Sequence, residues 1–543
     1  MTLRTHRARM DSPYRSERSM ALARRGMVCT SVPDASAAGV AMLARGGNAV
    51  DAALAAAAVL CVVEPMMTGI GGDAFVLYAP ASGPLIGLNG SGRAPAAATL
   101  ESYRARGLAA VPERGILSVT VPGAVDAWET LARRHGRLPL DVVLEPAIRA
   151  AVDGFAVSEL VAHYWWGLHR TGVLDAAAAE HFAPGGRTPR AGEWFRVPAL
   201  GRTLRAIAEH GAKAFYAGAV ADAIVAASRA AGGCLAHDDL ASHTSTWVDP
   251  ITTTYRDVEV AELPPNGQGL AALVALNVLE ALGPADPASA LHWHRRIEAV
   301  KLAFADRDEY IADPEHADVP VAELLDKAYA RERATRVGER ALAAPPPGRP
   351  GDTVYLCAAD GEGNLVSFIQ SLAAGFGSGV GCGDTGIVLQ NRGAAFRLDP
   401  RHRNALAPGK RPFHTIIPGM LLRGGAAEMA FGSMGGPIQP QSHLNFVANV
   451  VDLGLSPQEA LDRMRFRFQG GKTVLLEAPD VPVAEGGTLA AGLEARGHEI
   501  ERPPAVAFDP FGGGQAIQRL PDGVLAGASD RRKDGCALGW YGD

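Results

Sequence analysis

The signatures of several common chemistries are missing from this chain. It has no Gly-x-Ser-x-Gly elbow, no His-Glu-x-x-His pair, no Gly-x-x-x-x-Gly-Lys-Ser/Thr loop and no zinc-deaminase pattern. These absences set aside the usual serine hydrolase, metalloprotease, nucleotide and deaminase readings. Cysteine is sparse and scattered: the six residues Cys29, Cys61, Cys234, Cys357, Cys382 and Cys536 form no Cys-x-x-Cys pair. No zinc framework or disulfide scaffold follows from them, and reduced thiols in a cytoplasm are expected. The longest apolar run, Ala52 to Val63, is too short to span a bilayer. Net charge is -6 with no long basic stripe, which excludes nucleic acid as the expected partner. Residues 1–25 are rich in arginine but lack an apolar segment behind it, so they read as a disordered basic tail rather than a signal peptide. Met10 is a candidate true start. The expectation is a soluble, cytoplasmic protein with no membrane partner, no metal and no cofactor.

What is present is size and ordinary globular composition. At 543 residues, 48% of them apolar, the chain can build two domains or one large sandwich. Strand signals come in hairpins and helical signals in runs on either side. That order suits an α/β (α+β) protein with sheets face to face and helical outer layers.

The most informative stretch starts at Gly351-Asp352-Thr353. Two apolar runs, to Asp360 and from Leu365 to Ser371, flank Gly361-Glu362-Gly363, the signal for a β-hairpin. In that register Asp360 faces Asn364 and Thr353 faces Ser371. Ahead of Thr353 lies Ala343-Ala-Pro-Pro-Pro-Gly-Arg-Pro-Gly351, which reads as an exposed linker that cannot join a sheet. A strand opening at a threonine behind such a linker suggests cleavage between Asp352 and Thr353, with Thr353 as nucleophile. A freed threonine carries its own base, because the α-amine, with a reference pKa of about 7.7–8.0, is partly neutral near pH 7. The alternative is a β-branched residue that merely opens a strand.

Other features leave two readings each. The glycine-rich loop Thr68 to Asp73 lacks phosphate-cradle spacing and reads as a tight turn. Arg93, between glycines and a proline, could hold a carboxylate or simply be solvated. Gly435 and Gly436 leave a strand and could aim N–H groups at an oxyanion, or form a turn. His292 and His294 on the helix expected over 291–311 point to different sides, which favours surface histidines over a metal site. Gly386 to Asn391 is expected as a strand, and Trp165-Trp166 as packing.

Together these stretches resemble a known family. Gly47 to Ala53, Glu64-Pro65 with Gly69 to Gly72, Gly123 to Trp128, Pro264-Pro-Asn-Gly267 and Lys301 to Asp308 are similar to the large subunit of gamma-glutamyltranspeptidases. Residues from Gly351 to Phe466 are similar to the small subunit. The resemblance implies an N-terminal nucleophile fold, a four-layer αββα sandwich made by two autoproteolytic fragments. The implied division is a large-subunit region 26–342, a linker end 343–352 and a small-subunit region 353–543. The fragments would stay together as a heterodimer, and a dimer of heterodimers is compatible with that. Thr353 falls at the family's nucleophile, Ser371 at a supporting hydroxyl, and Gly435 and Gly436 at its oxyanion amides.

The departures concern substrate. Ser91 stands in the register of the arginine that grips the γ-glutamyl α-carboxylate, with Arg93 two residues later. Ala373 replaces an asparagine, Arg392 a glutamine, Ala395 the aspartate that receives the α-amino group, and His414-Thr415 a pair of serines. Losing that aspartate would leave a buried ammonium without a partner, at a cost of several kcal/mol. Arg392 makes the pocket more cationic. The pattern around Gln390-Asn391-Arg392-Gly393 and His414-Thr415 is similar to the oxamate amidohydrolase branch. The expected substrate is therefore a small carboxylate-bearing amide, held by Arg93 and Arg392 with Asn391, His414 and Thr415. The alternatives are a γ-glutamyltransferase or glutathione hydrolase with a rearranged pocket, and an uncleaved binding protein.

Overall fold

The computed structural model describes residue 16 and residues 18–348, 351–503 and 510–542. Met10, most of the expected basic tail and two linker residues lie outside that set. The tail expectation is too long at its other end, since Ala21–Ala23 already pairs with the strand Leu525–Ser529.

Two seven-stranded antiparallel sheets form the centre. One runs, in spatial order, Cys536–Trp540, Gly26–Thr30, Asp352–Asp360, Leu365–Ala373, Asp73–Ala79, Ile86–Asn89 and Thr246–Val248. The other runs Ala21–Ala23, Leu525–Ser529, Gly514–Arg519, Ala426–Ser433, Gly419–Arg423, Val258–Glu262 and Ile251–Tyr255. Strand side chains alternate between faces, so each sheet offers one face to its partner sheet and one to helices. Met27, Cys29, Phe75, Tyr355, Ile369, Met420 and Ile517 fill the space between the sheets. One helical layer covers the first sheet with Pro33–Ala44 and Ala49–Val63, and the other covers the second with Gly269–Leu282 and Ile438–Val451. This is the αββα sandwich.

The helix Ala49–Val63 shows how composition becomes packing. The Asn48 side chain accepts the amides of Val50 and Asp51, and Asp51 accepts the amide of Asn48 at 2.8 Å, a capping box. Every residue of this helix is buried, which its small side chains allow. A Cβ on Gly39 of the neighbouring helix would stand 2.9 Å from the Ala52 carbonyl oxygen, so that close crossing requires glycine.

Three expectations need correction. The proline-rich linker is exposed at Ala343, Pro345, Pro346 and Gly348 as expected, but it does pair with a neighbouring segment: Ala344 and Gly471 exchange both backbone hydrogen bonds, and Arg307 donates to the Pro347 carbonyl at 2.8 Å. Residues 386–391 form no full strand: Val388 makes a single antiparallel bridge with Gly381, and beyond it the amides of Gln390 and Asn391 turn to the carbonyls of Gly71 and Leu372. Trp165 is buried as expected, but Trp166 is 47% exposed with Arg170 over its ring.

Candidate active site

The hairpin turn is fixed by one side chain. Asp360 accepts the amides of Glu362, Gly363 and Asn364, and its other oxygen accepts Asn364 Nδ2. From that anchor the register runs Ala359 opposite Leu365 through to Val354 opposite Gln370, as the sequence suggests. A bulge between Asp352 and Val354 then shifts Asp352 opposite Ala373. Bulges re-aim side chains, and this one brings Thr353 Oγ to 3.4 Å from Ser371 Oγ, with both residues buried.

Ser371 is the hub of the site. Its hydroxyl donates to the Asp352 carbonyl at 2.6 Å and accepts from the Ala373 amide at 2.8 Å and from Arg392 Nη2 at 3.2 Å. Since its one proton lies on the Asp352 oxygen, Thr353 must be the donor between the two hydroxyls. The carbonyl of the bond between Asp352 and Thr353 thus accepts a hydrogen bond from a hydroxyl that in turn accepts one from Thr353 Oγ. The nitrogen of Thr353 in this continuous chain is an amide. Gly435 and Gly436, at φ +118° and +66°, lie between the strand Ala426–Ser433 and the helix Ile438–Val451. A Cβ on Gly351 would be 3.4 Å from Gly436 Cα, so this turn packs beside the same bond. Gln268 Nε2 braces it, donating to the carbonyls of Gly436 at 3.0 Å and Thr415 at 2.7 Å.

Arg392 is buried, and its Nη1 donates to Thr415 Oγ1 at 2.7 Å. Among the described residues no carboxylate lies within ion-pair distance of this guanidinium, and Nε has no partner. Burial lowers its pKa to about 10, which leaves it charged at neutral pH. The remaining candidates are committed elsewhere. His414 Nε2 lies 2.9 Å from Asp73 Oδ2, and its Nδ1 faces the Ile416 amide. Burial first, and then the Arg392 charge, push the His414 pKa down to about 4, so the ring is neutral and donates to Asp73. Asn391 pins the loop, accepting from the Ala374 amide at 2.9 Å and donating to the Glu113 carbonyl at 2.8 Å. Arg93 turns to Glu315 at 2.9 Å and Asp313 at 3.8 Å, and donates to the Gly409 carbonyl.

Asp73 is the residue that the sequence reading missed. It sits opposite Ser371 in the adjoining strand, fully buried, and accepts from the amides of Gly92 and Gly123 and from Gln390 Nε2. The available signal was a carboxylate closing a glycine-rich loop just before an apolar strand, where a tight turn alone needs no acid.

The surface-histidine expectation fails. His292 and His294 are both buried, because the helix Ala290–Tyr310 is covered on most sides. His294 Nδ1 meets His498 Nε2 at 2.8 Å, and its Nε2 donates to the Gly338 carbonyl. Ligand atoms of His294, Glu298 and His498 lie within 4.8 Å of one another. Lys301 Nζ already sits 2.8 Å from Glu298, so a cation is in place there.

Comparison with known proteins shows the family to which the chain belongs. The family model described as gamma-glutamyltranspeptidase matches residues 35–540. A glutathione hydrolase-like YwrD proenzyme of Bacillus subtilis (strain 168) is 40% identical, covering 93% of this chain and 96% of that protein. An oxamate amidohydrolase proenzyme of Klebsiella pneumoniae is 38% identical, covering 93% of this chain and 97% of that protein. Among solved structures, a cephalosporin acylase from Bacillus halodurans superposes with a TM-score of 0.92 at 46% identity, covering 98% of this chain and 99% of that one.

Proposed function

The chain belongs to the gamma-glutamyltranspeptidase family of self-processing N-terminal-nucleophile hydrolases, and from that premise we propose that it cuts itself before Thr353 and then hydrolyses a small carboxylate-bearing amide. In the first stage Thr353 Oγ adds to the Asp352 carbonyl while Ser371 holds the developing oxyanion. The C–N bond breaks, the Thr353 nitrogen takes a proton, and water cleaves the resulting ester. The new α-amine is then the base that activates the same hydroxyl. In the second stage Thr353 Oγ attacks the substrate carbonyl, the Gly435 and Gly436 amides stabilise the oxyanion, the amine leaves, and water releases the acyl group.

The observation that carries the substrate class is Arg392. It is a buried guanidinium with no carboxylate partner among the described residues, joined to Thr353 through Ser371. A substrate carboxylate would supply the direct ion pair that Asp73, acting on Arg392 from farther away, does not make, and Arg93, already paired with Glu315, is the lesser candidate. Oxamate has that carboxylate and no ammonium group, which suits a pocket with Ala395 in place of an acid. The decisive experiment uses one purified sample. Two fragments corresponding to residues 1–352 and 353–543 should appear on a denaturing gel, and oxamate should be turned over faster than a γ-glutamyl anilide. A single full-length band with full activity would sink the nucleophile assignment. The reverse substrate order would make the protein a γ-glutamyl hydrolase.

A further inference from the structure

One side chain touches both halves of the proposed site. Gln268 is fully buried just ahead of the helix Gly269–Leu282, in the stretch Pro264-Pro-Asn-Gly-Gln268. Its backbone is clamped to the segment that carries His414 and Thr415. The Gln268 amide donates to the His414 carbonyl at 2.9 Å, the His414 amide donates to the Asn266 carbonyl at 2.9 Å, and Asn266 Nδ2 donates to the Pro412 carbonyl at 2.7 Å. The end of the side chain has one way to sit. Nε2 carries two protons and both are used, one on the Thr415 carbonyl at 2.7 Å and one on the Gly436 carbonyl at 3.0 Å. Oε1 accepts from Arg307 Nη1 at 3.4 Å. Arginine only donates and a carbonyl only accepts, so the reversed amide would lose all three bonds. Arg307 is itself buried and fixed: Nε bonds Asp308 Oδ1 at 2.7 Å, Nη2 bonds the Pro347 carbonyl at 2.8 Å, and the Phe304 ring centroid lies 4.1 Å from Cζ.

The two carbonyls that Gln268 holds belong to different tasks. Thr415 Oγ1 accepts from Arg392, the guanidinium proposed to take the substrate carboxylate. Gly436 offers one of the two amides proposed for the oxyanion, and its carbonyl also accepts the Gln439 amide at 3.1 Å. We infer that Gln268 is a positioning residue for turnover: it sets the spacing between the carboxylate grip and the oxyanion turn, so that a substrate held at one end presents its carbonyl at the other. A misplacement of about 1 Å in such an arrangement can cost about 10²-fold in rate. Self-cleavage does not need this spacing, since there the carbonyl belongs to Asp352 and its hydrogen-bond donor is Ser371. The inference rests on the roles proposed above for Arg392 and Gly436, and it separates maturation from turnover.

The test is Gln268→Met, which keeps the length of the side chain and removes both donated bonds. Self-cleavage, followed as the appearance of the 353–543 fragment during cell-free translation, should stay within about threefold of the parent rate. On the processed variant, kcat for oxamate should fall at least about tenfold and KM should rise at least about threefold. Where the parent prefers a γ-glutamyl anilide, the same two constants are read on that amide, whose carboxylate would take the same grip. If the variant does not fold, Gln268→Glu, which keeps the shape and puts an oxygen in place of the donating nitrogen, is measured in the same way. Self-cleavage slowed as much as turnover would make the residue purely structural and overturn the inference. An unchanged kcat or an unchanged KM would overturn it as well. Failure of the nucleophile reading looks different, since it would appear as a processed, active Thr353→Ala protein.

Discussion

Two buried polar clusters in this protein handle charge in opposite ways. Around Glu298 every charge has its opposite: Lys301 Nζ bonds Oε1 at 2.8 Å and the Leu342 carbonyl at 2.8 Å, and Oε2 accepts the Leu342 amide at 3.1 Å. His294 and His498 complete that network, and burial pushes the His498 pKa down to about 3, so both rings stay neutral. Around Ser371 the cation Arg392 bonds hydroxyls alone, and the Asp73 carboxylate acts on it without a direct ion pair. A saturated network fixes structure, here joining the helix Ala290–Tyr310 to the chain ahead of the linker. A network with a spare buried charge is expensive unless something else completes it. The second cluster is the one we propose as the site of chemistry.

The sharpest way to break that contrast is at the hydroxyl itself. Thr353→Ala should leave one full-length chain and reduce amide hydrolysis by at least about 10⁴-fold, read by gel and by product release. Ser371→Ala should slow self-cleavage as well, since the carbonyl loses its 2.6 Å donor. Next in size is Arg392→Met. It should lower kcat/KM for a carboxylate-bearing amide by about 10²–10³-fold, the scale of removing one partner from a buried charged pair. An equal loss on an uncharged amide would remove Arg392 from substrate binding and make its spare charge unexplained.

Much of this contrast was legible in the sequence, and the failures have a common cause. The hairpin register could be read because a Gly-rich turn and alternation fix it, and Asp360 then holds it. The helix beginning after Asn48 could be read from its cap and small residues. That register put Thr353 opposite Ser371, but the bulge between Asp352 and Val354 that sets their contact was not legible. Long-range burial did not follow. His294 was expected at the surface because its partners, His498 and Gly338, are distant in sequence. Asp73 was passed over because its importance comes from Gly92, Gly123, Gln390 and His414, four residues on separate segments. Arg93 looked suited to a ligand until Glu315, more than two hundred residues later, was seen to neutralise it.

The saturated cluster supplies the next test. Lys301→Met removes the ammonium and leaves Glu298 buried without its cation. Stability should fall by about 3–5 kcal/mol in chemical denaturation, while turnover per folded molecule stays near that of the parent. A drop in turnover at unchanged stability would mean that the two clusters are coupled and that the division drawn between them is wrong.

The smallest expected effect sits at the edge of the reactive cluster. Glu64 is buried, accepts a hydrogen bond from Ser31 Oγ and has its pKa raised to about 7, chiefly by desolvation and despite the nearby Lys533. Its unfolded value is near 4.5, so between about pH 4.5 and pH 7 the native state holds a proton that the unfolded state has lost. Stability from this group is therefore fullest below pH 4.5, declines as pH rises through 7 and is level above that, a total of about 3 kcal/mol. Glu64→Gln cannot lose that proton, so its stability relative to the parent should rise across the same window and then stay constant. A parent-minus-variant difference that is flat from pH 5 to 8 would mean that Glu64 is charged throughout and that Lys533 and Ser31 offset its desolvation.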